Sequence, residues 1–306
     1  MSDKFSRPAQ PRARRAVAAE NRHKSEHLER VWSVAIYRGA SPLTLSPFQP
    51  GSVITTDDVT DVDAELVADP FMLCIDGTWH LYFEILIKDA RRGVIGRATS
   101  ANGIDWTYAG VVLRERFHLS YPMVFEANGS IYLMPESAQD RSVRLYRADH
   151  PEGPFEAVAT LLKGSWVDST LFRHEQKWWL FTCPTPVRND TLELFIADKL
   201  HGPYHRHPVS PIVRADPRIA RPAGRIHLFG GRPIRYAQDC SRRYGESVRA
   251  LTILTLSSTD YREVECPTSP VLRPAGRGWN STGMHHLDAH PLRDGSWLAC
   301  VDGDHR

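Results

Sequence analysis

The stretch VADPFMLCIDGTWHLYFEI, residues 67–85, decides the fold. Two apolar runs flank Asp76-Gly77, a dipeptide that two-residue hairpin turns favour. An acid stands at each open end: Asp69 enters the first run and Glu84 leaves the second. The pattern recurs along the chain as DPFMLCIDGTWHLYFE (69–84), YPMVFEANGSIYLMPE (121–136) and DSTLFRHEQKWWLFTC (168–183). Two longer copies follow, RPAGRIHLFGGRPIRYAQ (221–238) and HLDAHPLRDGSWLACVD (286–302). Their turns, at Gly77, Gly129, Gln176, Gly231 and Gly295, lie 52, 47, 55 and 64 residues apart. Repetition at this period is the mark of a repeat architecture.

Each of the first four hairpins leads into a second pair of apolar runs, such as GVIGRATS and WTYAGVVL after the first. The fifth has nothing behind it, but the missing pair stands at the front as VWSVAIYRG (31–39) and SPLTLSP (41–47). Five four-stranded units, the last completed by the N-terminal strands, predict an all-β, five-bladed propeller over residues 31–306. Closing the ring with both chain ends leaves no open edge. A two-sheet sandwich accounts for the strands but not for five copies of one hairpin with a displaced pair.

Residues 1–30 are polar, basic and proline-spiked. They read as a mobile basic arm to about residue 15 and a short helix beyond it. Such an arm is either a solvated leader or a binder of an anionic partner, and charge runs are usually solvated. A net charge of +2 is too balanced to imply nucleic acid. No apolar run is long enough for a membrane span, and no secretory leader is expected. The five cysteines are widely spaced without a CxxC pair, which predicts free thiols and a cytoplasmic setting.

In a propeller the first strand of each blade lines the channel and the second returns beside it. The two marked ends of each hairpin therefore meet at one mouth. The first positions are Asp69, Tyr121, Asp168, Arg221 and His286, and the second are Glu84, Glu136, Cys183, Gln238 and Asp302. Convergent polar groups at a concave mouth point to a ligand site, although channel mouths are also wet. Neighbouring carboxylates drive their pKa values apart, which supplies one acid and one base. Asp69 is the expected base or nucleophile and Glu136 the acid, with Glu84 and Asp168 tuning them. Glycoside hydrolysis requires carboxyl groups about 5–5.5 Å or about 6.5–9.5 Å apart.

The expected ligand contacts are Tyr121, Arg221, Gln238, Asp239, Arg242, Tyr244, His285, His286 and Asp302. In YAQDCSRRYGES (236–247), Asp239 beside Arg242, Arg243 and Tyr244 suits either an anionic or sugar group or a loop held by its own ion pairs. In GMHHLDAH (283–290), alternation puts His286 and Asp288 on one face, about 6.6 Å apart, near enough to share one ion in the channel. Structural hydrogen bonding by these histidines is the alternative, and no cofactor is required. Trp79, Trp178, Trp179 and Trp297 fit blade packing better than sugar platforms.

The motifs ARPAGR (220–225), AQDCSRRYG (237–245) and GMHHLDAHPLRDGSWLACVDG (283–303) resemble the N-terminal domain of glucosamine inositolphosphorylceramide transferase and its stand-alone bacterial relatives. This resemblance runs from about residue 60 onward and does not include the transferase's glycosyltransferase domain. The repeat is also similar to the propellers of glycoside hydrolase families 43, 32 and 68. In those an aspartate opens the first blade as base or nucleophile, the position of Asp69 in ADPF. Family 43 has an aspartate where this chain has Tyr121 and a glutamate where it has Asp168; Glu84 and Glu136 stand near enough to substitute. Three functions follow as expectations: an enzyme acting on a sugar or sugar-like polar molecule by hydrolysis or group transfer, a non-catalytic propeller that binds a glycan or protein, or a tailoring enzyme with a repurposed site. The oligomeric state is left open.

Overall fold

In the computed structural model, residues 31–184 and 189–305 are described. The arm and short helix expected within residues 1–30 lie outside them. Two strands come first, β1 (Val31–Ser41) and β2 (Thr44–Pro47). Blade one is β3 (Ala64–Ile75), β4 (Thr78–Ile87), β5 (Arg92–Ser100) and β6 (Thr107–Leu113). Blade two is β7 (Ser120–Ala127), β8 (Ser130–Ser137), β9 (Ser142–Ala148) and β10 (Glu156–Lys163). Blade three is β11 (Val167–His174), β12 (Lys177–Cys183), β13 (Glu193–Ala197) and the short β14 (His205–Arg206).

In blade four the channel strand is split into β15 (Arg221–Pro222) and β16 (His227–Phe229), both paired to β17 (Arg232–Asp239), with β18 (Ser247–Leu256) and β19 (Tyr261–Glu265) outside. Blade five is β20 (Leu287–Pro291) and β21 (Trp297–His305), completed by β1 and β2 in the order β2-β1-β21-β20. The five-bladed propeller and its closure by the N-terminal strands are as expected. β1 pairs antiparallel with β21 from Val31 opposite His305 to Gly39 opposite Trp297.

The hairpin turns explain the repeat. Asp76-Gly77, Asn128-Gly129, Glu175-Gln176 and Gly230-Gly231 all have positive φ at both central residues, the primed geometry that matches strand twist. The split in blade four was not expected. Gly224 has φ +130°, and a Cβ there would lie 1.9 Å from the carbonyl oxygen of Leu287 in the next blade. The Leu287 N–H in turn donates to the Ala223 carbonyl at 2.9 Å. Blade four thus gives up ladder pairing to press its backbone against blade five.

Apolar faces fill the space between blades. Phe71 and Tyr82 of blade one pack with Leu119, Met123 and Leu133 around blade two and with Leu171 and Leu180 of blade three. Trp179 and Trp297 are buried and Trp79 and Trp178 half-buried, all at blade-packing positions. All five cysteines are free. No helix among the described residues is long and apolar enough to cross a membrane.

Candidate active site at the channel mouth

The start of each channel strand is distorted in blades one to three. The ladder registers jump between Ala68 and Phe71, between Ser120 and Met123, and between Val167 and Thr170. Inside these bulges Asp69, Tyr121 and Asp168 have φ of +54°, +45° and +49°. Left-handed backbone at a non-glycine residue costs about 1–3 kcal/mol and persists only where surroundings enforce it. Asp69 and Tyr121 each precede a proline, which ordinarily holds a residue extended. The bulge also shifts pairing by one: the residue opposite Glu84 is Ala68, not Asp69.

What enforces the conformation is a chain of hydrogen bonds around the channel. The Asp69 N–H donates to Asp302 Oδ2 of blade five at 3.0 Å. The Tyr121 N–H donates to Asp69 Oδ2 at 3.2 Å. The Asp168 N–H donates to Glu136 Oε2 at 3.3 Å. Arg221 completes the relay, its Nε 2.5 Å from Asp168 Oδ2 and its Nη2 3.2 Å from Oδ1. Each left-handed residue turns its N–H onto the preceding blade's acid, a hydrogen bond that offsets the strain.

The acids fall into two groups. Asp302 is fully buried and accepts the backbone N–H of Asp69, His285 and His286, while His285 Nδ1 lies 2.8 Å from its Oδ2. Burial opposes its charge, but His285 and these bonds hold its carboxyl below the usual range. Asp168 is likewise occupied by Arg221 and by Gln238, whose Nε2 donates at 2.5 Å. Asp69, Glu84 and Glu136 are different. Burial, with neighbouring Asp168 and Asp302, pushes Asp69 up to about 7, although His285 pulls the other way. Burial and the adjacent acids raise Glu84 and Glu136 well above the carboxylate range.

Histidines frame this group. His285 Nε2 stands 3.6 Å from Asp69 Oδ1. Burial lowers its basicity, but Asp302 and Asp69 outweigh burial and raise it. Its ring lies 4.1 Å from Trp32 and 5.3 Å from Tyr244. Gly245, with φ +64°, makes room, since a Cβ there would sit 2.8 Å from His285 Cβ. His286 is fully buried against Phe71 and Tyr121, and burial depresses it to about 4.

Several expectations are corrected by these contacts. Tyr121 is not presented at the mouth: its hydroxyl accepts the Gly224 N–H at 2.6 Å and lies 2.8 Å from Thr170 Oγ1, tying blades two, three and four together. Gln238 is fully buried and positions Asp168, also donating to the Pro222 carbonyl at 2.9 Å. Asp168 is ion-paired with Arg221, and its charge raises the neighbouring Glu136. Arg242 points outward and pairs with Glu246. Asp239 is held by Arg249 at 2.8 Å and by Ser241, so this loop is closed by its own pairs. Tyr244 of that cluster faces the site, its ring under the Arg221 guanidinium at 4.9 Å.

The His286–Asp288 pair is not assembled for an ion. Asp288 is bound by Arg225 at 2.7 Å, by His290 at 2.9 Å and by the Met72 N–H at 2.7 Å. The donor atoms that do converge, within 4.8 Å of one another, belong to Asp69, His285 and Asp302. With Asp302's oxygens engaged by three backbone N–H groups and by the His285 ion pair, this trio fits a hydrogen-bonded hub better than a metal cage.

Three site residues escaped the sequence reading. Trp32 comes from the closing N-terminal strand. Asn189, with φ +54°, accepts from Arg221 Nη1 at 3.0 Å. His118 puts Nε2 3.3 Å from Glu84 Oε1 while its Nδ1 accepts the Gly93 N–H at 2.8 Å. None lies at a repeat position, so the hairpin pattern carries no signal for them.

The comparisons with known proteins agree with the fold. The model of the N-terminal region of glucosamine inositolphosphorylceramide transferase 1 matches residues 25–304. The rice (Oryza sativa subsp. japonica) protein of that name is 34% identical over 298 residues, 89% of this chain and 40% of the rice protein. The Arabidopsis thaliana protein is 34% identical over 302 residues, 91% of this chain and 40% of its own length. The chain thus spans about 40% of the length of the curated relatives it matches. These relatives are plant proteins and lend no support to a bacterial grouping.

Among solved structures, a family 117 glycoside hydrolase of Zobellia galactanivorans superposes with a TM-score of 0.53 at 15% identity, covering 88% of this chain and 90% of that one. The family 62 α-L-arabinofuranosidase of Coprinopsis cinerea gives 0.57 at 14%, covering 89% and 96%. The exo-β-1,3-galactanase of Clostridium thermocellum gives 0.60 at 12%, covering 76% and 55%. At such identities the likeness is one of fold. The sequence match carries the assignment: the chain belongs to the family of the N-terminal region of glucosamine inositolphosphorylceramide transferase 1.

Proposed function

We propose that the chain is an enzyme acting on a sugar or sugar-like polar small molecule at the channel mouth, by carboxylate acid/base chemistry in hydrolysis or group transfer. The observation that carries this reading is the division of the buried acids. Asp168 and Asp302 are each tied to a cationic side chain, whereas Asp69, Glu84 and Glu136 are held near one another with raised proton affinity. Asp69, near 7, has the proton affinity a general base needs at neutral pH. Glu136 and Glu84 retain their protons and are the acids. His118, neutral and donating through Nε2, orients Glu84. The names of the plant relatives and the glycosidase fold of the solved neighbours support a sugar ligand. The free cysteines support a reducing, cytoplasmic setting as part of the proposal.

Asp69→Asn and Glu136→Gln test it. Both substitutes keep the carbonyl oxygen that accepts the next blade's N–H, so the ring is preserved. On whichever glycoside or activated sugar the wild type turns over, each variant is expected to lose about 10²–10⁴-fold in turnover. Unchanged turnover in both sinks the assignment. One contact favours a second reading, a non-catalytic glycan-binding propeller: Arg221 occupies the acid of blade three. Sugar binding kept in both variants, with no turnover by the wild type on any substrate, selects that reading.

A further inference from the structure

We propose, resting on the reading of Asp69 as the base of this mouth, that His285 is its positioning residue: anchored on Asp302, His285 presents Nε2 to Asp69 and exchanges a proton with that carboxyl. One carboxylate holds both members. Asp302 Oδ2 accepts the Asp69 N–H at 3.0 Å and lies 2.8 Å from His285 Nδ1. Asp302 Oδ1 accepts the backbone N–H of His285 at 3.1 Å and of His286 at 3.0 Å. The acid that holds the left-handed backbone of Asp69 therefore also fixes His285, at its backbone and at its ring. Trp32 at 4.1 Å and Tyr244 at 5.3 Å enclose that ring and keep its direction.

The two oxygens of Asp69 are not equivalent. Oδ2 accepts the Tyr121 N–H at 3.2 Å. Oδ1 faces two imidazoles, His285 Nε2 at 3.6 Å and His286 Nδ1 at 3.8 Å. The two rings differ in charge. Burial depresses His286 to about 4, so it meets Asp69 as a neutral ring. Burial opposes the cation on His285 as well, but there Asp302, then Asp69 and Asp168, outweigh it. The face of the Trp32 indole favours the same cation. Arg221 is the other cation that acts on Asp69, and it acts more weakly than His285 because its three nitrogens are directed to Asp168 and Asn189. The remaining groups around the pair are the acids Asp168, Asp302, Glu84 and Glu136 and the protonated Tyr244.

The step is one proton transfer. The proton on Asp69 Oδ1 passes to His285 Nε2, leaving Asp69 a carboxylate and His285 an imidazolium whose Nδ1–H faces Asp302; no other bond changes. Asp69 is then ready to take a proton from substrate. At 3.6 Å the pair is beyond hydrogen-bond reach, and catalytic contacts of this kind often tighten only as substrate closes the site.

The test is NMR titration of the full chain carrying isotope-labelled histidine, with the His285 ring assigned through its backbone and checked by its absence from His285→Asn. Asp69→Asn, which keeps the carbonyl oxygen facing Tyr121, is expected to lower the pH at which His285 titrates by about one pH unit or more, because an anion has left its side. In the reverse direction, His285→Asn removes a cation from Asp69. The pH range over which Asp69 loses its contribution to stability, read as the difference between His285→Asn and the double variant in urea, is expected to extend upward by a similar amount. On any substrate the wild type turns over, the acid limb of kcat should move up with it while KM stays. If His285 titrates alike in wild type and Asp69→Asn, the proton exchange is overturned while Asp69 stands as a base. If kcat falls in His285→Asn with its pH limb unmoved, His285 is merely structural and the proposal is overturned. If Asp69→Asn changes neither the His285 titration nor the dependence of stability on pH, the base falls too, and the proposed function with it.

Discussion

Asp69 combines burial, a left-handed backbone and like-charged neighbours, and each raises the energy of its ionised form or of its conformation. The consequence is measurable as stability. A carboxyl whose pKa is about 7 in the folded chain, against about 3.9 unfolded, binds its proton more tightly when folded. Its contribution to stability is therefore greatest below about pH 4 and declines as pH rises to about 7, by as much as about 4 kcal/mol. Asp302 and Asp288, whose carboxyls are held low, act in the opposite sense and lose stability as pH falls. Comparing wild type with Asp69→Asn isolates the one residue. Denaturation by urea across that range is expected to show a smaller decline in the variant. Parallel curves for the two proteins would mean that Asp69 is ionised at low pH and is no base near 7.

At the scale of elements, the hairpin was legible because its information is local: a turn dipeptide, an apolar alternation and a fixed distance to each open end. Even Glu175-Gln176, which lacks glycine, was located by spacing, and it adopts the same left-handed pair with φ of +47° and +61°. Left-handed backbone costs an L-residue about 1–2 kcal/mol relative to glycine. Replacing Glu175-Gln176 by Asn-Gly is expected to stabilise the fold by roughly 1 kcal/mol, read from the denaturation midpoint. No gain would mean that the turn's tertiary contacts, rather than its backbone, fix its shape. What was not legible depends on contacts between blades. The break at Gly224 is imposed by Leu287, and the inward turn of Tyr121 by Gly224 and Thr170. The mouth could be drawn from hairpin ends as far as Asp69, Glu84 and Glu136. Which acids keep free oxygens is settled by Arg221 and His285, whose choice of partner no strand pattern encodes. His118 and Trp32 reach the site from a loop and from the first strand, outside the repeat altogether.

The whole molecule is a ring of twisted sheets, and a ring needs a hub. Below the mouth that hub is Arg225. From blade four its Nη2 donates to the Met72 carbonyl of blade one at 3.2 Å and the Val124 carbonyl of blade two at 2.8 Å, while Nε meets Asp288 of blade five at 2.7 Å. Asp288 is fully buried and also accepts the Met72 N–H, so one ion pair joins four blades around the channel. Removing one partner of a buried pair costs about 3–5 kcal/mol, because the charge left behind keeps its desolvation penalty. Arg225→Met should therefore destabilise the ring by about that amount, with His290 at 2.9 Å and the Met72 N–H at 2.7 Å the remaining partners of Asp288. Arg225→Met combined with Asp288→Asn should be less unstable than Arg225→Met alone, because the stranded charge is gone. Equilibrium denaturation of the two variants decides the point. A single variant within about 1 kcal/mol of wild type, or a double variant worse than the single, would move the hub from this ion pair to the apolar packing between blades.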